Sequence, residues 1–151
     1  MSQSDMTQII CSIVNTQEQL ARCFPLMHQL RLHLTLEAFL QQTRQQQANG
    51  YQLLQAVYGQ NICGLAGFSL GQKLAWGKHL YVDDLITNEN QRSMGVGGAM
   101  LKWLEQYALQ HDCDQLHLDS GVQRFSAHKF YLREGFVISS HHFAKSLALA
   151  E

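Results

Sequence analysis

"NENQRSMGVGGAML", Asn88–Leu101, sets Gly95, Gly97, Gly98 and Ala99 close behind Arg92. Glycine loses more freedom on folding than any other residue, so backbone this bare implies a close approach by something else. A Walker loop, GxxxxGK[ST], does not occur in the chain. A dinucleotide turn needs GxGxxG directly after a strand. Here Met100 takes the third glycine position and Asn88–Met94 intervene. Tight packing of a helix on a sheet explains Gly98 and Ala99, but not an arginine ahead of Gly95. The pattern that remains is [QR]xxGxG[GA], read as Arg92-Ser93-Met94-Gly95-Val96-Gly97-Gly98. At the start of a helix it would aim free N–H groups at an anion, helped by the helix dipole.

Outward from this loop the periodicities give an element order. Upstream, Lys78–Thr87 reads as a strand, and Tyr51–Tyr58 and Ile62–Leu70 as a hairpin around "GQN". Thr7–Thr16 is a first strand. Thr16 or Asn15 caps a helix with Leu20, Cys23, Phe24, Met27 and Leu30 on one face, which Pro25 is expected to kink or interrupt. Thr35–Gly50 is a second helix, capped by Thr35 and stopped at Asn49-Gly50. Downstream, the glycine segment opens a helix of about sixteen residues with Met100, Leu101, Leu104, Tyr107 and Ala108 as its stripe. "DQLHLDSG" reads as a strand, "SAHKFYLREG" as a short helix stopped by Gly135, and "FVISSHHFAKSL" as a last strand. The order is β-α-α-β-β-β-α-β-α-β, an α/β (α+β) fold with a mixed, mostly antiparallel central sheet flanked by helices.

The 151 residues suit one domain, residues 1–151, with 46% hydrophobic and 15% charged residues. A formal charge of −1 argues against a broad nucleic-acid or anionic-membrane surface. Cys11, Cys23, Cys63 and Cys113 have neither zinc nor disulfide-framework spacing, so reduced thiols are expected and no metal. The N-terminus lacks a basic segment followed by an apolar one, and no apolar run reaches the ~20 residues of a membrane span. A cytoplasmic protein is expected.

With "YVDDLIT" before it, the RxxGxG[GA] loop resembles the coenzyme A-binding motif of the GNAT superfamily of N-acetyltransferases. "SAHKFYLREGF", Ser126–Phe136, resembles that family's AxxFYxxxGF motif, and the element order is that of its fold. The resemblance covers essentially the whole chain, the first fifty residues by element order only. It implies that the loop, with Arg92, Ser93, Met94, Gly95, Val96, Gly97 and Gly98, holds the pyrophosphate of acetyl-CoA. Leu85, Ile86 and Thr87 would pair edge-on with the pantetheine arm, and a backbone N–H near Leu85–Ile86 would meet the oxyanion. Glycine is usual in the family at Ser93.

The resemblance also implies that Tyr131 protonates the coenzyme A sulfur. A phenol with a reference pKa near 10 suits returning a proton to a thiolate of roughly 8.5. Some members of the family keep a base glutamate at the separation Asp119 has from Tyr131, so the resemblance makes Asp119, ending the strand before it, the first candidate base, directly or through a water. Asp83 and Asp84 are consecutive in a strand, so at most one faces the substrate; Asp84 is favoured as an acceptor-site residue. Arg124 stands where the family has a cofactor-contacting asparagine and could bond a phosphate or pantetheine oxygen. One of His141 and His142 would line the acceptor pocket or both would be semi-exposed. Trp76 and His79 would wall the acceptor side or pack on a hairpin.

These readings imply an acetyl-CoA-dependent N-acetyltransferase (an acyltransferase) acting by direct attack of a primary amine of a small-molecule, peptide or protein acceptor. The chain would be a monomer or homodimer that engages neither nucleic acid nor membrane. The alternative is a non-catalytic module that binds or senses coenzyme A.

Overall fold

Thr16 starts the first helix with a reciprocal cap. Its hydroxyl accepts from the N–H of Gln19 at 3.1 Å, and the Gln19 side-chain oxygen accepts from the N–H of Thr16 at 3.1 Å. The computed structural model describes residues 8–88 and 94–148. Its elements are β1 (Ile9–Ile13), α1 (Gln17–Leu30), α2 (Leu36–Ala48), β2 (Gln52–Tyr58), β3 (Asn61–Lys73), β4 (Gly77–Thr87), α3 (Val96–Gln110), β5 (Gln115–Leu118) and α4 (Phe125–Arg133). They fall into two compact units, Met1–Leu118 and Asp119–Glu151.

In the first unit the strands form one sheet in the order β1-β2-β3-β4-β5. The first three pairings are antiparallel and β4–β5 is parallel, because α3 returns the chain to the same end before β5 begins. The β2–β3 turn is the two-residue loop Gly59-Gln60, with Gly59 at φ +64°. A side chain there is strained, which is why "GQN" reads as a hairpin.

Each face of the sheet carries a helical layer. Leu20, Cys23, Leu26 and Met27 of α1 and Phe39 of α2 bury against Val14, Leu53 and Leu65. On the opposite face, α3 packs through Val96, Met100, Leu101, Leu104 and Ala108. It sits close because β3 has no side chain at Gly64, where a Cβ would lie 2.7 Å from Val96 Cγ1 and 2.8 Å from Met100 Cε. Cover on both faces accounts for the unbroken buried run Cys63–Phe68 in β3.

Two expectations are corrected. The interruption expected at Pro25 does not occur: the residue lies exposed in the middle of α1, and the helix continues through it to Leu30. Proline removes one hydrogen bond there, but Leu26 and Met27 beyond it are buried, and that packing holds the next turn. In the second unit, Val137–Leu147 forms no strand. Val137, Ile138 and Phe143 are 79%, 70% and 92% exposed, so apolar alternation has not acquired the hydrogen-bonded neighbour that makes a strand.

Candidate active site

β4 pairs with β3 along its whole length, from Lys73↔Gly77 to Gly64↔Thr87. Its ladder with β5 covers only His79–Val82 against Gln115–Leu118. From Asp83 to Thr87 the second edge of β4 therefore has no strand partner among the described residues of the first unit. An extended ligand with amide groups can occupy such an edge. The register also breaks where that edge begins: Gly67 pairs with Asp84 and Phe68 with Val82, leaving Asp83 as the extra residue of a bulge.

β4 leads to the N-terminus of α3. Arg92 and Ser93 lie outside the described residues. Met94 is exposed, and Gly95 caps the helix in a left-handed conformation, φ +77°. No side chain caps this end among the described residues, and the first helical bond is Ala99 N–H to Gly95 C=O at 3.0 Å. Val96, Gly97 and Gly98 are the first-turn residues, whose N–H groups have no acceptor within the helix itself. The Val96 side chain is buried under Gly64, so only its backbone is available at this end.

Asp84 is engaged on both carboxylate oxygens. Oδ1 accepts from Arg31 Nε at 3.0 Å and Nη2 at 2.8 Å, and Oδ2 accepts from the Tyr51 hydroxyl at 2.8 Å. Arg31 Nη2 also donates to the backbone carbonyl of Asp83 at 3.0 Å. Burial, then the Asp84 charge and hydrogen bond, push the Tyr51 phenol far above its ordinary range, so it remains a donor. Asp83 is exposed and its carboxylate accepts no hydrogen bond from a described residue. Partial desolvation and the neighbouring Asp84 raise its pKa, against a lowering by Arg31. Arg31 and Tyr51 carry no motif signal; both reach Asp84 only through tertiary packing.

In the second unit, the "YLREGF" run is a helix-stop device. Gly135 sits at φ +97°, its N–H bonds the carbonyl of Leu132 at 3.2 Å, and Phe136 N–H bonds that of Tyr131 at 3.0 Å. This is the pattern of a left-handed C-cap. It brings the Phe136 ring edge-on to Tyr131, centroids 5.9 Å apart. The Gly-Phe of the motif thus fixes the tyrosine. Burial raises the Tyr131 pKa while Arg124 lowers it in part. Arg124 is the N-cap of α4 and makes no side-chain cap bond. Asp119 lies half-exposed, 3.6 Å from His142 Nδ1. His141 and His142 are both exposed in the non-strand segment, so no strand parity sorts them.

Trp76 and His79 pack on the β3–β4 hairpin. His79 is 5% exposed with its ring edge-on to Trp76, which stacks on His117 at 3.5 Å between centroids. A groove of about 520 Å3 between α1 and the β2–β3 turn is lined by Arg22, Leu26, Gln29, Asn61 and Asn88, the last described residue before the glycine loop. Among the described residues no group of three His, Cys, Asp or Glu side chains could hold a metal ion, and no helix is long and apolar enough to cross a membrane.

Residues 14–136 match the model of the acetyltransferase (GNAT) family. The chain is 32% identical over 134 residues to the uncharacterized N-acetyltransferase YhdJ of Bacillus subtilis, covering 87% of this chain and 94% of that one. It is 33% identical over 66 residues to an aminoalkylphosphonate N-acetyltransferase of Salmonella typhimurium, covering 44% and 43%. Its fold is similar to that of AAC(6')-Iy in complex with the bisubstrate analog CoA-S-monomethyl-acetylneamine, with a TM-score of 0.82, 14% identity, and 95% and 100% coverage. The same holds for a ribosomal-protein-alanine N-acetyltransferase from Brucella melitensis, with 0.79, 14%, 93% and 100%. The chain belongs to the GNAT family and is an N-acetyltransferase, an acyltransferase of that type.

Proposed function

We propose that the protein transfers the acetyl group of acetyl-CoA to a primary amine by direct attack within a ternary complex. The observation that carries this reading is the edge of β4, Asp83–Thr87, that has no strand partner among the described residues of the first unit and leads to the N-terminus of α3, where no described side chain forms a cap. An amide-bearing pantetheine arm fits along Leu85, Ile86 and Thr87, and its pyrophosphate fits the N–H groups of Val96, Gly97 and Gly98. Met94 and Gly95 belong to the same cradle, as do Arg92 and Ser93 by motif. Arg124 is assigned to a phosphate or pantetheine oxygen. The neighbour solved with a coenzyme A bisubstrate analog supports this choice of donor.

The neutral amine attacks the thioester carbonyl, forming the C–N bond and a tetrahedral oxyanion that a backbone N–H near Leu85–Ile86 stabilises. Collapse breaks the C–S bond, and Tyr131 gives its phenolic proton to the departing thiolate. The amine's surplus proton passes to Asp119, directly or through a water, with His142 beside it. Asp84 is assigned to the acceptor side of the strand, its two oxygens committed to Arg31 and Tyr51.

The test is release of free coenzyme A thiol from acetyl-CoA with a panel of amines, amino alkylphosphonates and aminoglycosides among them. Amine-dependent release is expected, cut at least tenfold in Tyr131→Phe with acetyl-CoA affinity unchanged. Tight acetyl-CoA binding without thiol release on any amine would instead mean a binding module, and wild-type turnover in Tyr131→Phe would remove that residue's role.

A further inference from the structure

The Arg31–Asp84–Tyr51 network joins three separate parts of the first unit at one carboxylate. Arg31 is the C-cap of α1 and opens the connection to α2. Tyr51 is delivered by the end of α2, where Gly50 takes φ +101° and Tyr51 N–H bonds the carbonyl of Gln46 at 3.0 Å. Asp84 follows the extra residue of β4. The network is set into the fold: Tyr51 is 8% exposed and the Asp84 side chain 16%. β3 makes room for it, since a Cβ on Gly67 would collide with the Tyr51 hydroxyl and approach Asp84 Oδ2 to 2.7 Å.

The bond from Arg31 Nη2 to the carbonyl of Asp83 reaches the bulge itself. A peptide unit is planar, so holding that carbonyl also sets the direction of the Asp84 N–H. The side chain of Asp84 is tied at both oxygens. The chain therefore enters the open edge of β4 with its twist set from outside the strand.

We propose that Arg31 and Tyr51 are positioning residues for acetyl transfer: through Asp84 and the Asp83 carbonyl they hold the β4 bulge in the shape that aims the outward-facing N–H near Leu85–Ile86 at the thioester oxygen. This rests on the open edge being the seat of the thioester. The aim matters most when the carbonyl oxygen becomes an oxyanion, so the clamp acts on kcat more than on acetyl-CoA binding.

Tyr51→Phe keeps the ring and removes one hydrogen bond. Arg31→Lys keeps the charge, but an ammonium lacks the planar fork that serves Asp84 and the Asp83 carbonyl together. For each, kcat is expected to fall by about tenfold with the KM for acetyl-CoA within about twofold. Amide exchange at Asp84–Ile86 is expected to quicken. The double variant should lose less than the product of the two, since both act through one carboxylate. Wild-type kcat and exchange with only a lowered Tm would reduce the network to a stability feature. If wild-type protein releases no thiol with any amine, the functional reading fails, and exchange alone decides: unchanged rates at Asp84–Ile86 in both variants overturn the clamp.

Discussion

Asp83 and Asp84 are adjacent and have opposite surroundings. Asp84 is saturated by Arg31 and Tyr51, while Asp83 projects from the bulge with its pKa raised. A carboxyl whose folded pKa exceeds its unfolded one favours folding below the unfolded pKa, near 4, and loses that contribution as pH rises through the folded value. Asp83→Asn is therefore expected to raise Tm slightly at pH 7, on the order of 1–2 °C given the group's exposure, and to leave it unchanged at pH 3. Thermal melts at the two pH values check this. Tyr131 has the complementary signature. Its raised pKa keeps the phenol protonated, so any alkaline limb in kcat that disappears in Tyr131→Phe should lie above about pH 10. The role of Tyr131 was legible from its motif. The division of labour between the aspartates was not: a bulge cancels strand parity, and Arg31 lies 53 residues away from Asp84.

At the level of elements, three helices end in the same left-handed cap: α2 at Gly50, α3 at Asp112 with φ +60°, and α4 at Gly135. Left-handed backbone costs an ordinary residue about 1–2 kcal/mol. Gly135→Ala is expected to lose about 1 kcal/mol of stability, and also turnover, because the same cap seats Phe136 on Tyr131. Denaturant titration and thiol release read the two effects separately. Asp112→Gly should move the other way, gaining roughly 0.5 kcal/mol after the entropy of the added glycine. Caps were legible because Thr16, Thr35 and the glycines act within a few residues of themselves. The expected strand after α4 was not, since alternation marks a candidate face and only a partner makes a strand.

Across the whole chain, the layers of the first unit settle which thiols water can reach. Cys23 and Cys63 are fully buried, and burial pushes the Cys23 thiol up to about 12. Cys11 and Cys113 are partly exposed. A thiol reagent at pH 8 should modify Cys11 and Cys113 in the native protein and all four cysteines after unfolding. The fold class was legible because the glycine loop and the FY helix stand in the right order, separated by periodic segments. The open edge of β4 was legible only through family resemblance, for nothing within "YVDDLIT" announces where β5 stops pairing. That edge is the centre of the account. Amide hydrogen exchange with and without coenzyme A tests it most directly. Protection on the order of tenfold or more at the outward-facing amides within Asp83–Thr87 and at Val96–Gly98, with little change along α2, is the predicted result. Binding that leaves these amides unprotected would contradict it.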